Sequence, residues 1–286
     1  MAETLQTKAQ AFVDAVISNI ERTRAKDEQD YIDGEGLLVC RQCGTPKQAR
    51  LELPNIGERV VPIGCECAME KYAAIKEAER RAECERYRQR YIDLEKCRKY
   101  RFAQDDGRNA GITAVMQKYA NNFGAALAQN IGLLLYGGVG TGKTYYAGCI
   151  ANQLIDDGYS VVMTSISQIV EYTGEFAKSR AKKDDYEEHL DKSDLLILDD
   201  LGVERNTEYM EERIYTVINK RYGSGKPLIV TTNLSKNQIQ TPQSMERQRT
   251  YDRIVEICKA VEVPGSSRRV ENSNKLQKTF AEIFGA

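Results

Sequence analysis

A single histidine, His189, stands in the 286-residue chain, and that scarcity closes off several chemistries. One imidazole cannot build a multi-histidine metal site, and its acidic, charged surroundings are not the setting of a nucleophilic triad. Any hydrolysis must rest on carboxylates, lysine, arginine and bound metal. Charge of one sign is also lacking. Lys and Arg number 41 against 42 Asp and Glu, a net charge of −1, which excludes a uniformly basic coat for nucleic acid and leaves only local basic patches. Long hydrophobic runs are missing too: the longest, such as IGLLLY and LLIL, are far too short to cross a bilayer, so no membrane association is expected. The N-terminus MAETLQTKAQ lacks a basic stretch followed by an apolar one, so no secretory signal is read and a cytoplasmic location is expected. At 41% hydrophobic and 29% charged residues, what remains is a globular chain with a strongly charged surface, long enough for about two domains.

Eight cysteines are present, and without a signal peptide they read as thiols or metal ligands, not disulfides. Cys40 and Cys43 form a C-x2-C pair, and 21 residues later Cys65 and Cys67 form a C-x-C pair. Four thiolates in two close pairs can surround one tetrahedral Zn²⁺. The stretch 33–67 is rich in glycine and poor in apolar residues, so zinc would supply folding energy that its core cannot. A site closed by four cysteines keeps no open position for catalysis. Cys84, Cys97, Cys149 and Cys258 are unpaired in sequence and read as packing residues. Ahead of this stretch, residues 5–20 carry an apolar stripe at three- and four-residue spacing, an amphipathic helix that packs on its own domain or on a partner. Behind it, residues 68–102 run without Gly or Pro through alternating charge and predict a long, mostly solvated helix. The break AQDDGRNAG at 103–111 is the candidate domain boundary.

Beyond the break, short apolar runs alternate with helical stretches. Strands are expected at 131–136, 160–164, 194–200, 227–233 and 260–263, with helices near 143–156, 166–178, 207–222 and 244–258. That alternation predicts an α/β fold, a parallel sheet with helices on both faces. Residues 137–144 read GGVGTGKT and fit G-x-x-x-x-G-K-[ST] between a strand and a helix. Glycines let backbone amides wrap phosphate oxygens, and the following helix turns its positive end toward them. Lys143 should reach the β- and γ-phosphates, and the Thr144 hydroxyl should ligate Mg²⁺. About 55 residues on, LLILDD ends in Asp199, placed to hold Mg²⁺, and Asp200, placed to orient or activate a water. The strand LIVTTN ends in Thr232 and Asn233, polar residues suited to the water or the γ-phosphate. Phosphoryl transfer also needs cations against the charge that develops on the γ-phosphate, and Arg247, Arg249, Arg253, Arg268 and Arg269 are the candidates downstream.

The run GLLLYGGVGTGKTYYAGCIANQLIDDGYSVVMT, then DLLILDDLGVE, RYGSGKPLIVTTNLS, TYDRI and GSSRR, resembles the replicative helicase loaders of the DnaC and DnaI type. These are AAA+ ATPases related to the IstB transposition helpers. The resemblance covers about residues 100–275, and the Cys-rich head is similar to the zinc-binding N-terminal domain of DnaI-like and phage-type loaders. It implies a Walker A loop of Gly137, Gly138, Val139, Gly140, Thr141, Gly142, Lys143 and Thr144, and a Walker B pair of Asp199 and Asp200. Asn233 falls where the family keeps its first sensor. Arg253 in YDRI matches the arginine finger that reaches a neighbouring subunit's ATP, and Arg269 matches the second sensor, with Arg268 one register away. The implied organisation is a helix plus four-cysteine zinc-binding, helicase-interacting domain over 1–67, a charged helical linker over 68–110 and an AAA+ ATPase domain over 111–286. The implied partners are a hexameric replicative helicase, single-stranded DNA and further copies of the chain, with ATP, Mg²⁺ and Zn²⁺ as cofactors. The tail beyond residue 270 leaves room for a minimal lid or none.

Two other functions fit parts of this pattern. An IstB-like ATPase could help a DNA transposase, although such a helper has no evident need of a four-cysteine head. A zinc-dependent adaptor could use ATP only as a conformational clamp.

Overall fold

Contacts divide the chain into two units, residues 1–82 and 83–286. The structure, a computed structural model, describes residues 30–53, 57–173, 180–202, 207–242 and 244–285. The helix expected over residues 5–20 lies outside them. Among the described residues no helix is long and apolar enough to cross a membrane.

In the first unit, β1 (Tyr31–Ile32) pairs antiparallel with β2 (Leu38–Val39), and β3 (Gln48–Leu53) with β4 (Gly57–Pro62). These ladders carry little apolar interior: Leu37, Val39, Cys40 and Cys65 are buried, while Tyr31, Ile32, Leu51 and Val60 are exposed. The helix α1 (Glu66–Tyr91) begins here and stays exposed along most of its length. It was expected to run to about residue 102, but it stops at Tyr91. Ile92 forms a parallel bridge with Met163, and the Asp93 amide donates to the Met163 carbonyl at 3.0 Å. Two short 3-10 turns, Glu95–Lys99 and Phe102–Gln104, follow. Burial decides this against the charge pattern. Ile92 and Cys97 are 0% exposed, and the Asn152 side-chain amide donates to the Cys97 and Tyr100 carbonyls, holding the chain in turns.

The second unit continues with α2 (Ala110–Asn121), α3 (Phe123–Ala128), β5 (Gly132–Tyr136), α4 (Lys143–Asp156), β6 (Val161–Thr164), α5 (Ile166–Thr173) and α6 (Arg180–Lys192). Then come β7 (Leu195–Leu201), α7 (Glu208–Ser224), β8 (Leu228–Thr232), α8 (Lys236–Gln240), α9 (Met245–Ile257), β9 (Cys258–Glu262) and α10 (Arg268–Phe284). The five strands β5 to β9 form one sheet in the order β6-β7-β8-β5-β9, with every pairing parallel. Strand alternation splits the apolar residues between the two faces. Leu133, Leu135, Met163 and Ile197 pack under Met116, Tyr146, Ile150 and Leu154 of α2 and α4. Leu134, Val162, Leu196 and Val230 pack on the other face against Ile169, Leu190, Ile218 and Ile254. This is the expected α/β architecture, a parallel sheet with helices on both faces. Caps define its helix ends: the Thr207 hydroxyl accepts from the Met210 amide at the start of α7, and Gly225, at φ 64°, closes its end.

Of the four cysteines read as packing residues, Cys97, Cys149 and Cys258 are buried in this unit. The sole histidine serves packing as well: His189 stacks on Tyr91 and its Nε2 lies 2.7 Å from the Tyr91 hydroxyl. The tail forms α10, whose residues Leu276, Phe280, Ile283 and Phe284 are exposed.

Candidate functional site

The strand β5 ends at Tyr136, and residues 137–142 turn back into α4, which begins at Lys143. Gly140 and Gly142 sit at φ +82° and +109°, the left-handed region closed to most side chains. Space forbids a side chain there as well, since a Cβ on Gly140 would stand 2.3 Å from the Ser267 hydroxyl oxygen. The Thr141 hydroxyl donates to the Gly138 carbonyl at 3.1 Å. The Lys143 ammonium donates to the carbonyls of Gly137 at 2.9 Å and Gly138 at 2.7 Å, and to Asn233 Oδ1 at 2.8 Å. Burial pulls the Lys143 amine below its ordinary value, while Asp200 and Asp199 act against that pull.

The two carboxylates emerge where β7 breaks register against β8, between Leu198 and Leu201. Thr231 on β8 organises the break. Its hydroxyl donates to Asp199 Oδ1 at 2.7 Å and accepts from the Asp200 amide at 2.9 Å. Asp200 is thereby held at φ 61°, an uncommon conformation for a residue with a side chain and one found at functional sites. The two acids differ in environment. Asp199 is buried, and burial raises its carboxyl above the usual range against the hydroxyls of Thr231 and Thr144. Asp200 is exposed and accepts from Asn233 Nδ2 at 2.7 Å. Asn233 therefore bridges Lys143 and Asp200, an amide held between a cation and an anion.

These groups open onto one cavity of about 570 Å³, the right size for a small polar ligand such as a nucleotide. Val139, Gly140, Gly142, Lys143 and Thr144 of the loop line it, with Asp199, Asp200, Asn233, Arg268 and Arg269. Arg253 is elsewhere: its guanidinium lies over the Tyr215 ring at 4.7 Å and the Tyr222 ring at 5.8 Å, on the α7 side of α9. Arg247 pairs with Glu211. Neither belongs to the lining of this chain's own cavity. Thr232 turns away, donating to the Leu201 carbonyl. Two contributions escaped the sequence reading. Thr231 looked like one more β-branched strand residue. Leu94, Lys96, Tyr100, Asp105 and Asp106 also line the cavity, from a segment that carried only turn and boundary signals. The Asp-Asp pair in AQDDGRNAG was the one available hint.

The first unit brings Cys40, Cys43, Cys65 and Cys67 together, with their sulfurs all within 4.8 Å of one another. Cys67 Sγ lies 3.5 Å from Cys65 Sγ and 3.7 Å from Cys40 Sγ. Thiolates about 2.3 Å from a common zinc in a tetrahedron stand about 3.8 Å apart, so the donor set fits that ion. The backbone supports the cluster: Gly44, at φ +70°, donates its amide to the Cys40 carbonyl, and Cys67 sits in the first turn of α1. The Thr45 hydroxyl holds the Cys43 thiol down, to about 6. The neighbouring Cys65 sulfur and burial push Cys67 up, to about 12. Four sulfurs this close cannot all ionise without a cation among them.

A family model described as IstB-like ATP binding protein matches residues 75–276. The chain is 27% identical over 151 residues to the replicative helicase loader DnaI of Bacillus subtilis, covering 48% of this chain and 47% of that protein. To the replicative helicase loader DnaC of Escherichia coli K12 it is 26% identical over 124 residues, covering 43% and 49%. The chain thus spans about half the length of these curated relatives. A crystal structure of a putative primosome component from Streptococcus pyogenes serotype M3 shares the fold at TM-score 0.50 and 21% identity, over 62% of this chain and 93% of that one.

Proposed function

The chain belongs to the IstB-like ATP-binding protein family, and on that premise we propose that it is an ATPase that loads a hexameric replicative helicase onto single-stranded DNA. The observation that carries this reading is the bridge from Lys143 through Asn233 to Asp200 across a single cavity. In this reading the backbone of the loop from Gly137 to Thr144 cradles the phosphates, and Lys143 leaves its carbonyl partners for the β- and γ-phosphates. Thr144 and Asp199 offer oxygens suited to Mg²⁺, which when bound neutralises phosphate charge and orients the reacting group. Asp200 orients the attacking water, and Asn233 keeps that carboxylate aligned with the cation beside the γ-phosphate. Arg253, remote from its own cavity, acts as the finger on the ATP of an adjacent copy. Arg269, or Arg268 beside it, reads the phosphates from α10. Cys40, Cys43, Cys65 and Cys67 hold a structural Zn²⁺ in the unit that grips the helicase.

The test is complex formation. The full chain is mixed with the replicative helicase of its host, or of the phage if the gene is phage-borne, under ATP and weighed by native mass spectrometry. A defined complex is expected, with Asp200→Asn still binding ATP and helicase but failing to hydrolyse and leave. Normal loading by Asp200→Asn would favour the conformational clamp. No complex, with ATP turnover and DNA binding intact, would move the reading to the transposase helper.

A further inference from the structure

Two cavity residues outside the Walker motifs meet each other across 162 positions of sequence. Arg268, the first residue of α10, donates from Nη2 to Asp106 Oδ1 at 2.8 Å. Both line the cavity that holds Lys143. The guanidinium has a second arm, and it lies over the phosphate loop: a Cβ on Gly142 would stand 2.4 Å from Nη1. The main chain fixes the same place, since the Arg268 amide donates to the Gly140 carbonyl at 3.0 Å. One arm of a rigid, planar fork is therefore tied to a carboxylate while the other overhangs the backbone that would face phosphate.

Asp106 is itself held. Its Oδ1 accepts from the Arg108 amide at 3.3 Å, and its Oδ2 lies 3.2 Å from Arg108 Nε. Arg108 reaches on to Glu271, in the first turn of α10, at 2.6 Å. With two guanidiniums around it, the Asp106 charge is balanced and does not repel an anionic ligand. An arginine on the first turn of an exposed helix has many rotamers to lose on meeting a phosphate. A carboxylate that already fixes one arm removes part of that loss beforehand.

We infer that Asp106 is a positioning residue for the nucleotide, holding Arg268 so that its free arm meets a phosphate oxygen of a bound nucleoside triphosphate. This rests on the reading of the cavity as an ATP site. It also selects Arg268 as the α10 arginine already committed to the phosphate loop.

The full chain is titrated with ATP and ADP carrying a fluorescent ribose label. Asp106→Asn is expected to weaken ATP binding about three- to fivefold, the scale of a half-exposed ion pair, and ADP binding less, since ADP offers the guanidinium less charge. Arg268→Ala loses at least as much, and the double variant Asp106→Asn with Arg268→Ala loses no more than Arg268→Ala alone, because the carboxylate acts through the arginine. Asp106→Glu recovers part of the preference for ATP. Arg108→Ala, which removes one of the groups that hold Asp106 together with the tie to Glu271 but spares the Asp106–Arg268 pair, loses less than Asp106→Asn. Additive losses in the double variant, unchanged preference in Asp106→Asn, or equal loss in Arg108→Ala would each overturn the inference. A wild-type chain that binds neither nucleotide removes the ATP reading, and this one with it.

Discussion

The unit of residues 1–82 and the unit of residues 83–286 hold their functional side chains by opposite means. The first buries only Leu37, Val39, Cys40 and Cys65 among its described hydrophobic residues, and two of those four are members of the sulfur cluster. The second buries two apolar layers, one on each face of a five-stranded sheet. In the sheet unit the site is an outgrowth of the core: Lys143 begins a helix packed on the sheet, and Asp199 and Asn233 emerge at strand ends. In the cysteine unit the site stands in for the core. The same polypeptide should therefore respond to one insult as a metal complex and to another as a packed domain.

The sharpest break of that contrast is metal removal. If the four cysteines hold the proposed zinc, chelation should unfold residues 30–82 and leave the sheet unit intact, because the binding energy of such an ion, of order 10 kcal/mol, would be that unit's folding energy. Hydrogen exchange resolved by segment checks this, and protection retained across both units would refute it. The converse insult is Leu135→Ala, which deletes a side chain of 0% exposure in the sheet. It should cost about 2–5 kcal/mol and lower the melting temperature of the sheet unit alone, with metal content unchanged. Lys143→Ala leaves both folds standing and should weaken ATP binding at least about thirtyfold, the scale of a charge-assisted contact to phosphate, as isothermal titration would show. Thr231→Val should cost about 1–2 kcal/mol, by unpairing the Asp199 carboxylate and the Asp200 amide, and should lower turnover more than ATP affinity. Equal losses in both would show Thr231 to be only a packing residue.

The smallest effect concerns Asp199. Burial raises the Asp199 carboxyl above its unfolded value, so ionisation costs the fold stability as pH rises past the unfolded value. The cost is complete above the folded one. Asp199→Asn should therefore raise the melting temperature at neutral pH by about 2–4 °C while abolishing hydrolysis. A melting temperature that falls, or that rises equally at pH 3, would contradict this.

What could be read from the chain beforehand divides along the range of the forces involved. The strands and the phosphate loop were legible because their signals are local: LLLY then GGVGTGKT, or LLIL then DD, declare themselves within a dozen residues. The paired cysteines were legible because metal ligation limits spacing. The end of α1 was not, because Ile92 leaves the helix to bridge Met163, about 70 positions on. Nor was the wall of the cavity formed by Leu94, Lys96, Tyr100, Asp105 and Asp106, whose partners are fixed only once the sheet has formed. Thr231 escaped because nothing in LIVTTN separates a hydroxyl that braces two acids from one that caps a strand, as Thr232 does.

The sheet order also fixes which part of the site is held most firmly. β5, which delivers the phosphate loop, is clamped by β8 on one side and β9 on the other, and Gly137 at its exit abuts the Val263 carbonyl so closely that a Cβ would stand 2.6 Å away. A strand gripped on both edges is an anvil. The rim is held differently: α10 is tied down by half-exposed ion pairs and carries an apolar far end into solvent. Ligand-dependent change at this cavity is therefore expected first at α10, with the loop as its fixed reference.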